Sequence, residues 1–79
     1  MRIVSWNIRA GGGKRVDAIA AQLQRWSPDV VSLCEFRATP PSVLLADALA
    51  DQGYVHQLTT ADASAPGRNA LLILSLIHI

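Results

Sequence analysis

Between Arg2 and Asn7 the chain alternates, with Ile3, Ser5 and Asn7 on one face and Val4, Trp6 and Ile8 on the other. Val4 and Trp6 favour extended backbone, so this period of two predicts a strand. The run Ala10-Gly11-Gly12-Gly13 breaks it, after which Val16, Ile19, Ala20, Leu23 and Trp26 recur at helical spacing as far as Ser27-Pro28. That spacing, closed by a proline, predicts an amphipathic helix. Val30 to Glu35 is apolar on both faces, the pattern of an interior strand in a covered sheet. Thr39-Pro40-Pro41-Ser42 then opens a second helix, which carries Val43, Leu44, Leu45, Ala48 and Leu49 and closes at Gly53. Tyr54 to Thr59 reads as a third, weaker strand, Thr60 to Arg68 as a polar loop, and Asn69 to Ser75 as a strongly apolar fourth strand.

The resulting order is β-α-β-α-β-β, an α/β chain without an internal repeat or a dividing linker. Strand, helix and strand within about 30 residues make a βαβ unit, whose crossover is right-handed and whose strands run parallel. If those two strands are neighbours, Asn7 and Glu35 share the C-terminal edge of the sheet, where open α/β sheets bind ligands. The third and fourth strands have no long crossover between them and are expected to be antiparallel.

The chain has 79 residues, room for one domain that buries only about 60% of its unfolded surface. With 51% hydrophobic and 16% charged residues it belongs with folding chains and not with disordered ones. A net charge of +1 supplies no strong basic field, so any contact with phosphate must come from a local site. Cys34 is the only cysteine, which rules out an internal disulfide and a cysteine-based zinc cluster. The N-terminus meets Ser5, Asn7 and Arg9 before any long apolar run, leaving no secretory core segment, and a cytoplasmic location is expected. Leu71 to Ile79 is apolar over nine residues, far short of the ~20 that span a bilayer, so no membrane span is expected. No protein partner can be inferred.

The candidate chemistry sits at the strand ends. A buried strand gains nothing from ending in a carboxamide or a carboxylate, yet a hard divalent cation prefers oxygen ligands of these kinds. Asn7 and Glu35 are therefore the residues to explain. Gly11-Gly12-Gly13-Lys14-Arg15 resembles a Walker loop only superficially, because Ile8 and Arg15 stand where a glycine and a Ser or Thr are required. A dinucleotide fingerprint is closer, with Gly11 and Gly13 after a strand and Glu35 ending the next, but Val16 replaces its third glycine. A small nucleotide-binding βαβ module remains the alternative from another class. Lys14, Arg15, Arg68, Asp17, Asp47 and Asp51 read as solvated positions, Trp6 and Trp26 as core aromatics, Cys34 as a small buried hydrophobe, and His56 as an ordinary strand residue.

Taken in order, RIVSWNIR, SPDVVSLCEFR, a helix ending in QGY, and GRNALLILS resemble the opening of the endonuclease/exonuclease/phosphatase superfamily, which includes exonuclease III and deoxyribonuclease I types. The resemblance covers residues 1–75 and implies the N-terminal part of a four-layer α/β sandwich, two β-sheets flanked by helices. Cys34 stands where the family commonly has glutamine, and Asn69-Ala70-Leu71 where it has a sequence closer to glycine-valine-alanine. The resemblance implies that Asn7 and Glu35 are catalytic and metal-site residues, with Glu35 the principal ligand of Mg²⁺ or Mn²⁺, and that Arg37 contacts substrate. It implies a divalent-metal-dependent phosphoesterase acting on nucleic acid or another phosphate ester. A nuclease is the leading form, and a phosphatase of a phosphorylated lipid or small ester is the alternative. The family's general base, a histidine supported by an aspartate, comes from a later part of its chain. The final Leu74-Ser75-Leu76-Ile77-His78-Ile79 matches the translation of a transposon-end sequencing adapter. Residues 76–79 are therefore expected to be a non-native tail, with the adapter reading from about residue 74, and the chain alone to be a noncatalytic fragment.

Overall fold

The computed structural model describes residues 1–77, so His78 and Ile79 of the expected tail lie outside the described residues. Four strands and two helices follow the expected order: β1 (Ile3–Asn7), α1 (Val16–Trp26), β2 (Val30–Phe36), α2 (Pro40–Asp51), β3 (His56–Thr59) and β4 (Ala70–Ser75). A single 3₁₀ turn, Gly13–Arg15, leads into α1. No helix among the described residues is long and apolar enough to cross a membrane.

The strands form one sheet in the order β1-β2-β4-β3. β1 pairs parallel with β2, and β4 is antiparallel to both β2 and β3. β1, β2 and β3 therefore point the same way, and the chain advances across the sheet in one sense. Right-handed crossovers then require both helices to lie on one face. The core shows this arrangement: Ile19, Ala20 and Leu23 of α1 and Leu45 and Leu49 of α2 cluster with Val31 and Leu33 of β2 and Leu72 and Leu74 of β4. The opposite face carries Ile3, Ser5 and Asn7 in register with Val30, Ser32 and Cys34, and no element covers it among the described residues.

The elements end where their residues dictate. α1 stops as Ser27 turns left-handed at φ 49° and donates its N–H to Leu23 O, with Pro28 next. α2 begins with Pro40 and Pro41 at its first positions, where proline's fixed φ suits a helix and its missing N–H costs nothing. It ends at Gly53, whose φ of 108° favours glycine. β3 is shorter than expected because Tyr54 turns into the core, 3% exposed, and donates its hydroxyl to Pro28 O at 2.6 Å. The tryptophans depart from the expectation of core aromatics. Trp26 is 41% exposed and packs on the half-buried Trp6 with ring centroids 5.3 Å apart, at the free edge of β1.

Candidate active site

The parallel register puts Asn7 opposite Cys34, so both side chains leave the sheet on its uncovered face. Strict alternation would send Glu35 the other way, beneath the helices with Val31 and Leu33. A β-bulge prevents this. Cys34 pairs with Leu71 and Phe36 with Ala70, so Glu35 is skipped in the ladder and its backbone is left-handed, φ 61°. Phe36 takes the core position instead, 4% exposed, and Glu35 is released to the sheet edge as a partly exposed residue. Bulges beside active sites commonly re-aim a side chain in this way.

The connection from β1 to α1 wraps around that carboxylate. Arg9, Ala10, Gly11, Gly12 and Gly13 all have positive φ, between 50° and 84°. The glycines adopt this backbone freely, whereas Arg9 and Ala10 each pay about 1–2 kcal/mol. Hydrogen bonds hold the run in place. Arg9 N–H donates to Asn7 Oδ1 at 2.9 Å, Ala10 N–H to Glu35 Oε1 at 3.3 Å, Gly11 N–H to Glu35 O at 2.7 Å and Gly12 N–H to Arg9 O at 2.9 Å. The Arg15 guanidinium adds a bond to Arg9 O at 2.8 Å. From beneath, the fully buried Ser42 hydroxyl donates to Gly11 O at 2.7 Å. Four of the loop's amides, those of Arg9, Ala10, Gly11 and Gly12, thus donate to the chain's own acceptors and not to a pyrophosphate cradle of the dinucleotide type.

Because β4 runs antiparallel to β2, its first residues reach the same edge. Asn69, immediately before β4, donates Nδ2–H to Glu35 Oε1 at 3.4 Å and accepts from Arg37 Nε–H at 2.8 Å. The expected trio of Asn7, Glu35 and Arg37 therefore lies at one edge, joined by the Arg9–Gly13 loop, whose glycines read in the sequence only as a partial nucleotide motif, and by Asn69 and Ser42, which do not stand out there as site residues. Two signals pointed to them: an asparagine opening a strand, and a serine in the first turn of α2. Neither has meaning until β4 is known to insert beside β2. His56 pairs in register with Ser75, which in turn faces Val30, so it sits at the opposite edge of the sheet. Lys14 and Arg68 are exposed and take no part in this network among the described residues.

The site holds an ionised carboxylate. The Asn7 side-chain hydrogen bond, the Ala10 amide and the charges of Arg37 and Arg9 hold the Glu35 carboxyl below its ordinary value of 4.5, against a smaller opposing effect of burial. Among the described residues no three His, Cys, Asp or Glu side chains converge as a complete metal centre. The donors present are a carboxylate and a carboxamide, both hard oxygen ligands, and they fit part of an oxygen-coordinated divalent site. One carboxamide oxygen lone pair is already committed to Arg9 N–H, which makes Glu35 the stronger ligand of the two.

A family profile described as Endonuclease/Exonuclease/phosphatase family matches residues 4–78. Among solved structures, the chain is similar to an endonuclease/exonuclease/phosphatase from Beutenbergia cavernae DSM 12333, with a TM-score of 0.74 and 29% identity. The match covers 96% of this chain and 26% of that one, so the chain spans about a quarter of its neighbour's length. No curated protein matches the chain.

Proposed function

The chain belongs to the endonuclease/exonuclease/phosphatase family, and from that premise we propose that it is the opening portion of a divalent-metal-dependent phosphoesterase, a nuclease that hydrolyses phosphodiester bonds. In this reading residues 1–75 are part of the catalytic domain and 76–79 are a non-native tail. The observation that carries the proposal is the bulge at Glu35, which spends a left-handed backbone to bring an ionised carboxylate to the edge that Asn7 occupies.

A bound Mg²⁺ or Mn²⁺ supplies Lewis-acid polarisation of a phosphoryl oxygen and stabilises charge on the leaving oxygen. Glu35 would hold that ion. Asn7 lies at the same edge and, being neutral, meets a phosphate without repulsion. Arg37 faces the substrate: its Nε–H is committed to Asn69, and its two terminal amino groups form the end-on fork that suits a phosphate. In a nuclease this fork would contact a phosphate of the nucleic-acid strand, the role the family resemblance implies for Arg37. The base that activates water comes from outside these residues, since His56 is at the far edge.

The test uses the chain continued by its downstream coding sequence. That protein should cleave DNA or RNA in a Mg²⁺-dependent manner, and Glu35→Gln should lower the rate more than about 100-fold. The 79-residue chain should be inactive. Full activity of the Glu35→Gln variant, or no metal-dependent hydrolysis of any phosphate ester by the continued chain, would overturn the reading.

A further inference from the structure

The connection from Arg37 to Glu35 runs through Asn69. Its carboxamide accepts from the guanidinium on one side, at 2.8 Å, and donates to the carboxylate on the other, at 3.4 Å. A cation and an anion so close at a partly exposed edge would ordinarily close into a direct ion pair, particularly when the cation is an arginine with a matching fork. Such a pair would occupy the carboxylate oxygens and the guanidinium fork together. A neutral group with a donor at one end and an acceptor at the other satisfies one N–H and one oxygen while keeping the two charges apart. The main chain makes the placement possible: Ala70 pairs with Phe36 across the bulge, so the residue before it, Asn69, falls level with Arg37, and its side chain reaches the released Glu35 carboxylate.

We propose that Asn69 is a positioning residue that keeps Arg37 and Glu35 as two separate functional groups, the carboxylate turned to a divalent cation and the guanidinium to a substrate phosphate. The proposal rests on the metal-site reading for the uses of the two groups, but the separation itself is a property of this chain without metal. Removing the carboxamide lets Arg37 close on Glu35. The loss of Asn69 is then harmful only while Arg37 is present, and this distinguishes positioning from simple support of β4.

Two measurements on the chain continued by its downstream coding sequence test this. Manganese affinity, read from paramagnetic broadening of the Glu35 and Ala10 amide resonances, should fall roughly two- to fivefold in Asn69→Ala, the scale of one exposed ion pair. It should return to the Arg37→Ala level in the double variant Asn69→Ala/Arg37→Ala. The metal-free measurement follows the Arg37 Nε–H resonance. Glu35→Gln should move it markedly in the Asn69→Ala background and only slightly in the native background. Equal weakening of Mn²⁺ binding in the single and double variants would overturn the proposal, as would an Arg37 resonance insensitive to Glu35 once Asn69 is gone. If Glu35→Gln leaves Mn²⁺ affinity unchanged, the metal-site reading fails, and the resonance experiment still decides whether Asn69 separates the two charges.

Discussion

Glu35 carries its function on an unfavourable backbone. A glutamate at φ 61° gives up about 1–2 kcal/mol relative to a right-handed or extended residue, and the surrounding bonds hold it there. Glycine would remove that strain and alanine would keep it, while both delete the carboxylate. Glu35→Gly should therefore be more stable than Glu35→Ala by about 1 kcal/mol in urea denaturation, after allowing for the extra entropy of glycine in the unfolded chain. Equal stabilities would mean that the bulge does not persist without its glutamate. The charge makes its own prediction. The folded carboxyl lies below its ordinary 4.5, so its stabilising contribution is present above that pH and is lost as pH falls through the lowered folded value. Glu35→Gln should flatten this part of the acid limb, and an unchanged limb would assign it to other carboxylates. Asn7 and Glu35 were legible in the sequence because polar groups ending apolar strands have no packing reason to be there. The bulge was not, because glycine is the usual sign of a left-handed bulge residue and none stands at 35. Alternation read literally would have buried the carboxylate.

At the scale of elements, the stretch from Arg9 to Gly13 behaves as one part. Its carbonyl at Gly11 is pinned by Ser42 from α2, and the same hydroxyl accepts from Arg37 N–H at 3.4 Å. One fully buried oxygen thus ties the loop, the end of β2 and the start of α2 together. Removing it leaves Gly11 O without that donor, and Ser42→Ala should cost about 1–3 kcal/mol in denaturant titration. Gly11→Ala should cost more. An added Cβ would lie 2.7 Å from Ser42 Oγ and 3.1 Å from Arg37 Cβ, on a backbone at φ 76° that disfavours any side chain. A Gly11→Ala protein as stable as the native one would show that the loop is not held as described. Both helices and the β1–β2 pair were legible from periodicity and from the glycine and proline stops. The insertion of β4 between β2 and β3 was not, since two antiparallel strands in sequence are most simply neighbours at one end of a sheet. Only that insertion carries Asn69 to the site.

At the scale of the whole chain, the described residues pack the sheet on one side only. β2 reads as a strand buried on both faces, and the structure buries Val31 and Leu33 fully while Val30, Ser32 and Cys34 remain partly exposed. On that same side Ile3 is 65% and Leu58 75% exposed. A second sheet of the proposed complete domain would cover this face, in keeping with a chain that spans 26% of its structural neighbour. Large apolar patches drive association when left in water. The 79-residue chain should therefore self-associate as its concentration rises, measured by light scattering after size exclusion. Ile3→Lys/Leu58→Lys should suppress this without lowering Tm, because neither side chain contacts the helix-side core. In the continued chain the same pair should lower Tm, since two ammonium groups would then be buried without partners. A monomeric 79-residue chain, or a continued chain indifferent to both lysines, would mean that this face meets water in the native protein and that Val30 and Cys34, on that face of β2, owe their apolar side chains to something other than burial.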